Sequence, residues 1–204
     1  MTGPTRTALG LSVGLVFAVF IMLAWSPGGL ELRVAPVKGG APLLVLPLEA
    51  GERFTLHYYH SVENAPIWEE HSLDAAGRIY IEEERYAKFG AGMGRMPGVG
   101  RMVKRGPYEV ITDMHMPAGD FVLRIGSPGV DHTIIWRGTR TNLSARAPHV
   151  AVQFTARPIS RLHKAWRQLW PHAATPVAAR PANQWTLGVP KLTHHHLNLV
   201  LKRD

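Results

Sequence analysis

Between Leu30 and Ala156 the chain is cut every few residues by Gly, Pro, Asn or Asp, and no long amphipathic helical pattern interrupts that punctuation. The runs between the cuts are short and apolar or alternating. They are Leu30–Val37, Leu43–Leu48, Arg53–His60, Ile67–Asp74, Arg78–Glu83, Arg85–Phe89, Tyr108–Met114, Phe121–Ile125, His132–Arg137, Arg140–Ala145 and Val150–Ala156. In Arg53–His60 the alternation puts Phe54, Leu56 and Tyr58 on one face and Thr55, His57 and Tyr59 on the other. Ala75-Ala76-Gly77 is a natural hairpin connection. Met93–Pro107 is rich in Gly and Pro and reads as a loop. The pattern predicts a mainly β fold, an antiparallel β-sandwich or partly open barrel. It argues against a parallel α/β sheet, which needs helical crossovers.

Two segments lie outside that body, giving three parts: residues 1–29, 30–158 and 159–204. Ala8–Trp25 carries no charge across 18 residues, which as a helix reach about 27 Å. Arg6 precedes it, Trp25 stands where an interfacial aromatic would, and Ser26-Pro27-Gly28-Gly29 stops it. The segment reads as an N-terminal transmembrane anchor, with a cleaved signal peptide as the competing reading. Leu23-Ala24-Trp25 is a poor cleavage site. An N-in anchor would place the main domain in the periplasm, single-pass on the inner membrane.

The third part is basic. Residues 157–204 hold 8 Lys/Arg against Asp204 alone, whereas residues 1–156 hold 15 Lys/Arg and 14 Asp/Glu. A near-neutral body argues against nucleic acid as a partner, and a basic tail suits an anionic surface. Ile159–Trp170 has Ile159, Leu162, Trp166 and Leu169 at helical spacing and predicts a short amphipathic helix. Either its apolar stripe packs on the body with the charges in water, or the helix lies on a membrane. Pro171–Pro190 is rich in Pro and Ala and reads as extended or disordered, and Leu197–Leu201 as a late strand. Consecutive residues on a strand point to opposite sides, so His194-His195-His196 is a poor metal set. There is no cysteine, hence no disulfide framework and no thiolate metal site.

Function-bearing residue types concentrate between Tyr59 and Met93. A turn at Asn64-Ala65-Pro66 would make two antiparallel neighbours and bring His60 and Glu63 opposite Glu69 or Glu70. Imidazole and carboxylates at that range can hold a divalent metal, orient one another, or bind a cationic or hydroxylated ligand. His60, Glu63 and Glu69 are therefore the metal candidates, and a structural polar cluster is the competing reading. Ser61 beside His60 offers a nucleophile and a base, but strand neighbours point apart. Arg85 and Tyr86 follow the run Glu82-Glu83-Glu84, and Arg85 can pair with a neighbouring glutamate. Gly90-Ala91-Gly92 suggests positive φ or a close backbone approach that could present N–H groups to a ligand. Met93, Met96 and Met102 among Arg95, Arg101, Lys104 and Arg105 form a basic loop suited to docking. No HExxH spacing and no phosphate-binding glycine loop is present, so no catalytic residue is assigned.

The run His60-Ser61-Val62-Glu63, with Pro66 and Glu69, then Tyr86 and Phe89-Gly90-Ala91-Gly92, resembles the bacterial domain-of-unknown-function family 1850. The resemblance extends roughly from Leu30 to Val152. It implies an exported or membrane-anchored companion of tripartite, ATP-independent periplasmic (TRAP) transporters of the TAXI subtype, and no established activity. The chain departs from the family after Gly92, where Met93-Gly94-Arg95-Met96-Pro97 replaces the usual leucine-proline.

Three readings follow. The protein is an accessory or ligand-binding companion of a TRAP transporter, partnering its permease or solute-binding subunit. Alternatively it is an envelope metal-binding protein or hydrolase using His60, Glu63 and Glu69, or a structural envelope protein held by its basic tail. The ligand-binding candidates are His60, Ser61, Glu63, Glu69, Arg85, Tyr86, Gly90, Ala91 and Gly92. No cofactor is indicated.

Overall fold

In the computed structural model, residues 4–88, 90 and 98–169 are described, with side chains of the first helix from residue 13 onward. Helix α1 (Pro4–Trp25) leads into β1 (Pro27–Pro36), β2 (Leu44–Leu48), β3 (Arg53–Tyr59), β4 (Pro66–Leu73) and β5 (Ile79–Tyr86). There follow β6 (Arg101–Arg105), β7 (Tyr108–Thr112), β8 (Met116–Pro117), β9 (Phe121–Arg124), β10 (Thr133–Trp136) and β11 (Thr139–Asn142). Helix α2 (Leu143–Arg146), β12 (Ala151–Ser160) and α3 (Arg161–Leu169) complete the order.

The strands form two antiparallel sheets. The smaller has the order β2-β1-β12-β9, and the larger β11-β10-β3-β4-β5-β7-β6 with β8 on β5. Alternation sends Leu30, Leu32, Val34, Leu46, Leu48, Val152 and Phe154 inward from the smaller sheet. They meet Phe54, Leu56, Leu73, Ile79 and Ile134 from the larger one. Each such burial contributes about 1.5–3 kcal/mol, which holds the two layers together. This is the sandwich expected from the sequence, and the barrel is not closed. A second, smaller cluster of Ile67, Tyr86 and Ile111 lies toward the other end of the larger sheet.

Local chemistry explains the turns. Asp74 Oδ1 accepts the N–H groups of Ala76 and Arg78, closing the β4–β5 hairpin where Ala75-Ala76-Gly77 predicts it. Asn64, at φ 48°, closes the β3–β4 turn. Three expectations are corrected. Arg101–Arg105 is a strand, because Met102 and Val103 find cross-strand partners in Ile111 and Val110 of β7. Arg78–Glu83 and Arg85–Phe89 are not two strands: β5 runs unbroken from Ile79 to Tyr86, absorbing a bulge opposite Glu70/His71. Arg140–Ala145 splits into the end of β11 and α2, because the Asn142 side chain accepts the Ala145 N–H and caps a helical turn.

The anchor expected over residues 8–25 coincides with α1, but its described side chains begin at residue 13. Among the described residues no helix is long and apolar enough to cross a membrane, so the anchor is not supported on that ground. Phe89, Ala91, Gly92, Met93, Arg95 and Met96 lie outside the described residues, as do the expectations for residues 170–204.

Candidate functional site

The larger sheet has an inner and an outer face, and the candidate residues divide between them. On the inner face Glu69 of β4 and Glu84 of β5 are cross-strand partners. The Tyr58 hydroxyl donates to Glu69 Oε1 at 2.7 Å, and the Tyr86 hydroxyl donates to Glu84 Oε2. His71 is buried between Phe54 and Phe121, its ring stacked on theirs at 5.1 and 5.7 Å. Its Nδ1 lies 3.1 Å from the Glu69 carbonyl oxygen. A carbonyl only accepts, so Nδ1 carries the proton and Nε2 presents its lone pair to Glu69 Oε2, 3.8 Å away.

Burial dominates the electrostatics there. It pushes the Glu69 carboxyl up to about 7; the Tyr58 hydrogen bond opposes this and the Glu84 charge adds to it. Burial holds the His71 imidazole down to about 4, against the hydrogen bond to the Glu69 carbonyl. A proton entering this pair therefore settles on Glu69 before His71. Burial also raises both phenols, so Tyr58 and Tyr86 remain hydrogen-bond donors at neutral pH. The network ties β3, β4 and β5 together at the edge of the second apolar cluster.

The turn between β3 and β4 gathers a different set. The Glu63 N–H donates to His60 Nδ1 at 3.2 Å, and Glu63 Oε2 pairs with Lys88 Nζ at 2.7 Å. Gly90 lies against the same carboxylate: a Cβ there would come within 2.7 Å of Glu63 Oε1. The close approach expected at this glycine is thus to a side chain of the chain itself. Ser61 is exposed.

The β3–β4 register corrects the expected metal triad. Glu69 faces Leu56 and Glu70 faces Thr55, while Tyr59 faces Pro66. His60 and Glu63 lie beyond that last pair, three rungs or about 10 Å along the strands from Glu69. Among the described residues no group of three or more His, Cys, Asp or Glu side chains is placed to hold a metal.

The outer face is the more open arrangement. One rung runs Asn142–Thr133–His57–Trp68–Arg85–Val110 across six strands. Arg85 Cζ sits 4.6 Å from the Trp68 ring centre and 5.6 Å from that of Tyr108. Among the described residues Arg85 forms no ion pair with a glutamate, and its buried Nε has no hydrogen-bond partner. His57 Nδ1 is in the same condition, with Trp68 at 5.1 Å and Tyr59 at 5.5 Å between ring centres. His57 also lines a separate cleft of about 270 Å³, with Tyr59, Asp131, Thr133, Arg140 and Asn142. Burial, then the charge of Arg140, with Arg85 adding less, holds His57 below the usual imidazole range; Asp131 opposes. Arg85 on its flat rings suits recognition of a planar or anionic group, while the cleft sets the neutral imidazole and Arg140 beside the Asp131 carboxylate.

Sequence reasoning found Arg85, Glu69 and Tyr86 but missed their partners Tyr58, Glu84, His71, His57, Trp68, Tyr108 and Arg140. The signal for some was present. The alternation in β3 already places His57 and Tyr59 on the face opposite the core, and the same count along β4 adds Trp68.

The family model described as Domain of unknown function (DUF1850) matches residues 54–143, a shorter stretch than Leu30 to Val152. No curated protein and no solved structure matches the chain. The matched stretch runs from β3 to the first residue of α2. It contains all nine ligand-binding candidates, the Tyr58–Glu69–Glu84–Tyr86 network and the outer rung, and over it the chain is similar to that family.

Proposed function

We propose that the protein is a membrane-tethered binding module of the bacterial envelope, an accessory of a TRAP transporter of the TAXI subtype, with its β domain in the periplasm. The observation that carries the binding part is Arg85, its guanidinium over the touching rings of Trp68 and Tyr108 and its buried Nε without a hydrogen-bond partner among the described residues. A guanidinium in such a setting is oriented for an acidic group from outside the chain. The tether is supported by α1, whose side chains Val13, Leu15, Val16, Phe17, Phe20 and Met22 are all exposed. Apolar surface on this scale calls for a non-aqueous neighbour. The transporter context is supported by the sequence resemblance of His60 to Gly92.

Gentle capture of the full-length protein from native membranes tests the proposal. The intact chain should retain a permease or solute-binding subunit, and Arg85→Gln should lose at least about tenfold of it. Among the described residues the substitution breaks no ion pair, and it removes two cation–π contacts worth about 0.5–1 kcal/mol each, so the melting temperature should move by only a few degrees. Recovery of the intact protein without a transporter subunit, or equal recovery with Arg85→Gln, would overturn the reading.

A further inference from the structure

Helix α3 lies on the smaller sheet with its polarity reversed. The carboxylate of Glu31, 3% exposed, projects from the outer face of β1 beneath the helix. It meets Arg157 Nη2 at 3.3 Å, His163 Nε2 at 3.2 Å and Arg167 Nη2 at 3.3 Å. Lys164 Nζ adds a 2.9 Å pair with Glu49. The basic side of the helix therefore faces the protein. Trp166 is 55% exposed and Leu169 72%. The sequence expectation that the apolar stripe packs on the body with the charges in water is overturned.

The outward apolar side does not stand alone. The Arg161 N–H donates to the Ser26 carbonyl at 2.9 Å, and Arg161 Nε reaches the Pro27 carbonyl, so α3 begins where α1 ends. The two helices touch. At that corner α1 exposes Met22 at 58% and Trp25 at 86%.

We infer that α3 is a second membrane contact, with Trp166 and Leu169 seated in the lipid interface beside the exit of α1. An acidic protein surface fits poorly, because Lys164, His163 and Arg167 are already paired inward. A lipid interface fits well: it accepts a tryptophan and a leucine without asking for charge, and α1 delivers the helix to it. Attachment of this kind is apolar, so it should be indifferent to salt and should not require anionic lipid. The seating fixes the domain at two points and sets its tilt on the bilayer. The inference rests on the reading of α1 as a tether.

The chain has no cysteine, so single labels are clean. Full-length protein carrying Val16→Cys, Leu169→Cys or Val122→Cys would be spin-labelled in phosphatidylcholine vesicles. Collision rates with oxygen and with a water-soluble nickel chelate would then be compared. The inference expects the oxygen-to-nickel ratio at positions 16 and 169 to exceed that at 122 several-fold, unchanged at about 0.5 M salt. A lipid-like 16 with a water-like 169 would overturn the seating while leaving the tether intact. A water-like 16 would overturn both. A label at 169 shielded from both reagents would mean a protein partner and would also overturn the seating, as would loss of its lipid signature in salt.

Discussion

Glu69 and His71 are two residues apart on one strand face, and burial moves them in opposite directions, to about 7 and about 4. For Glu69 the folded value lies above the ordinary 4.5. The stability it contributes is therefore complete at low pH and is lost as pH rises through 7. For His71 the folded value lies below 6.5. Its contribution is present above 6.5 and is lost as pH falls through 4. Between these limits the two slopes oppose each other, and the intact protein should show a shallow pH dependence. Glu69→Gln keeps an acceptor for the Tyr58 hydroxyl and places an amide donor toward His71 Nε2. The variant should lose stability as pH falls from 6.5 toward 4, and at pH 8 should exceed the parent by about 1–3 kcal/mol. Urea unfolding at several pH values checks this; a profile parallel to the parent would contradict it. None of this was legible in the sequence beyond the presence of a carboxylate and an imidazole. Their opposed titration arises from Phe54, Phe121 and the second sheet, which bury the pair from outside the local stretch.

At the scale of elements, α3 shows what periodicity conveys. The spacing of Ile159, Leu162, Trp166 and Leu169 gave a helix, and a helix forms from Arg161 to Leu169. Which side faces the protein depends on Glu31, 132 residues before His163, and no local pattern reports that. Glu31→Gln should leave β1 and β12 protected and release α3. Hydrogen exchange would show faster amides over residues 161–169 and a global cost of about 2 kcal/mol, less than for a fully buried pair because Arg157 is 61% exposed. Unchanged protection in α3 would mean that its backbone tether to Ser26 suffices. The same corner depends on Gly28, where a Cβ would stand 2.4 Å from the Ser160 carbonyl carbon. Backbone cannot swing away as a side chain does. Gly28→Ala should therefore cost about 1–3 kcal/mol and loosen the α1–α3 junction, both measurable by thermal melting and exchange.

For the whole molecule, the body was legible as an antiparallel sandwich because alternation and turn chemistry are local. Tyr58 and His57 fell on the correct faces, and Asp74 closes the hairpin expected at Ala75-Ala76-Gly77. The pairing of β1 with β12 and the rung from Asn142 to Val110 join distant segments, and single-strand patterns carry no register between them. The metal triad failed for that reason: His60, Glu63 and Glu69 are close in sequence, and the register keeps them apart. The assembled sheet instead offers an outer face on which Tyr59, His57, Trp68, Arg85 and Tyr108 lie together. Cross-linking tests most directly that this face is where a partner sits. A photoreactive residue would replace Tyr59 on this face, or Val122 on the opposite sheet, in full-length protein within native membranes. An adduct with a transporter subunit is expected from position 59 and none from 122; adducts from 122 alone, or from neither position, would show that the partner does not sit on this face.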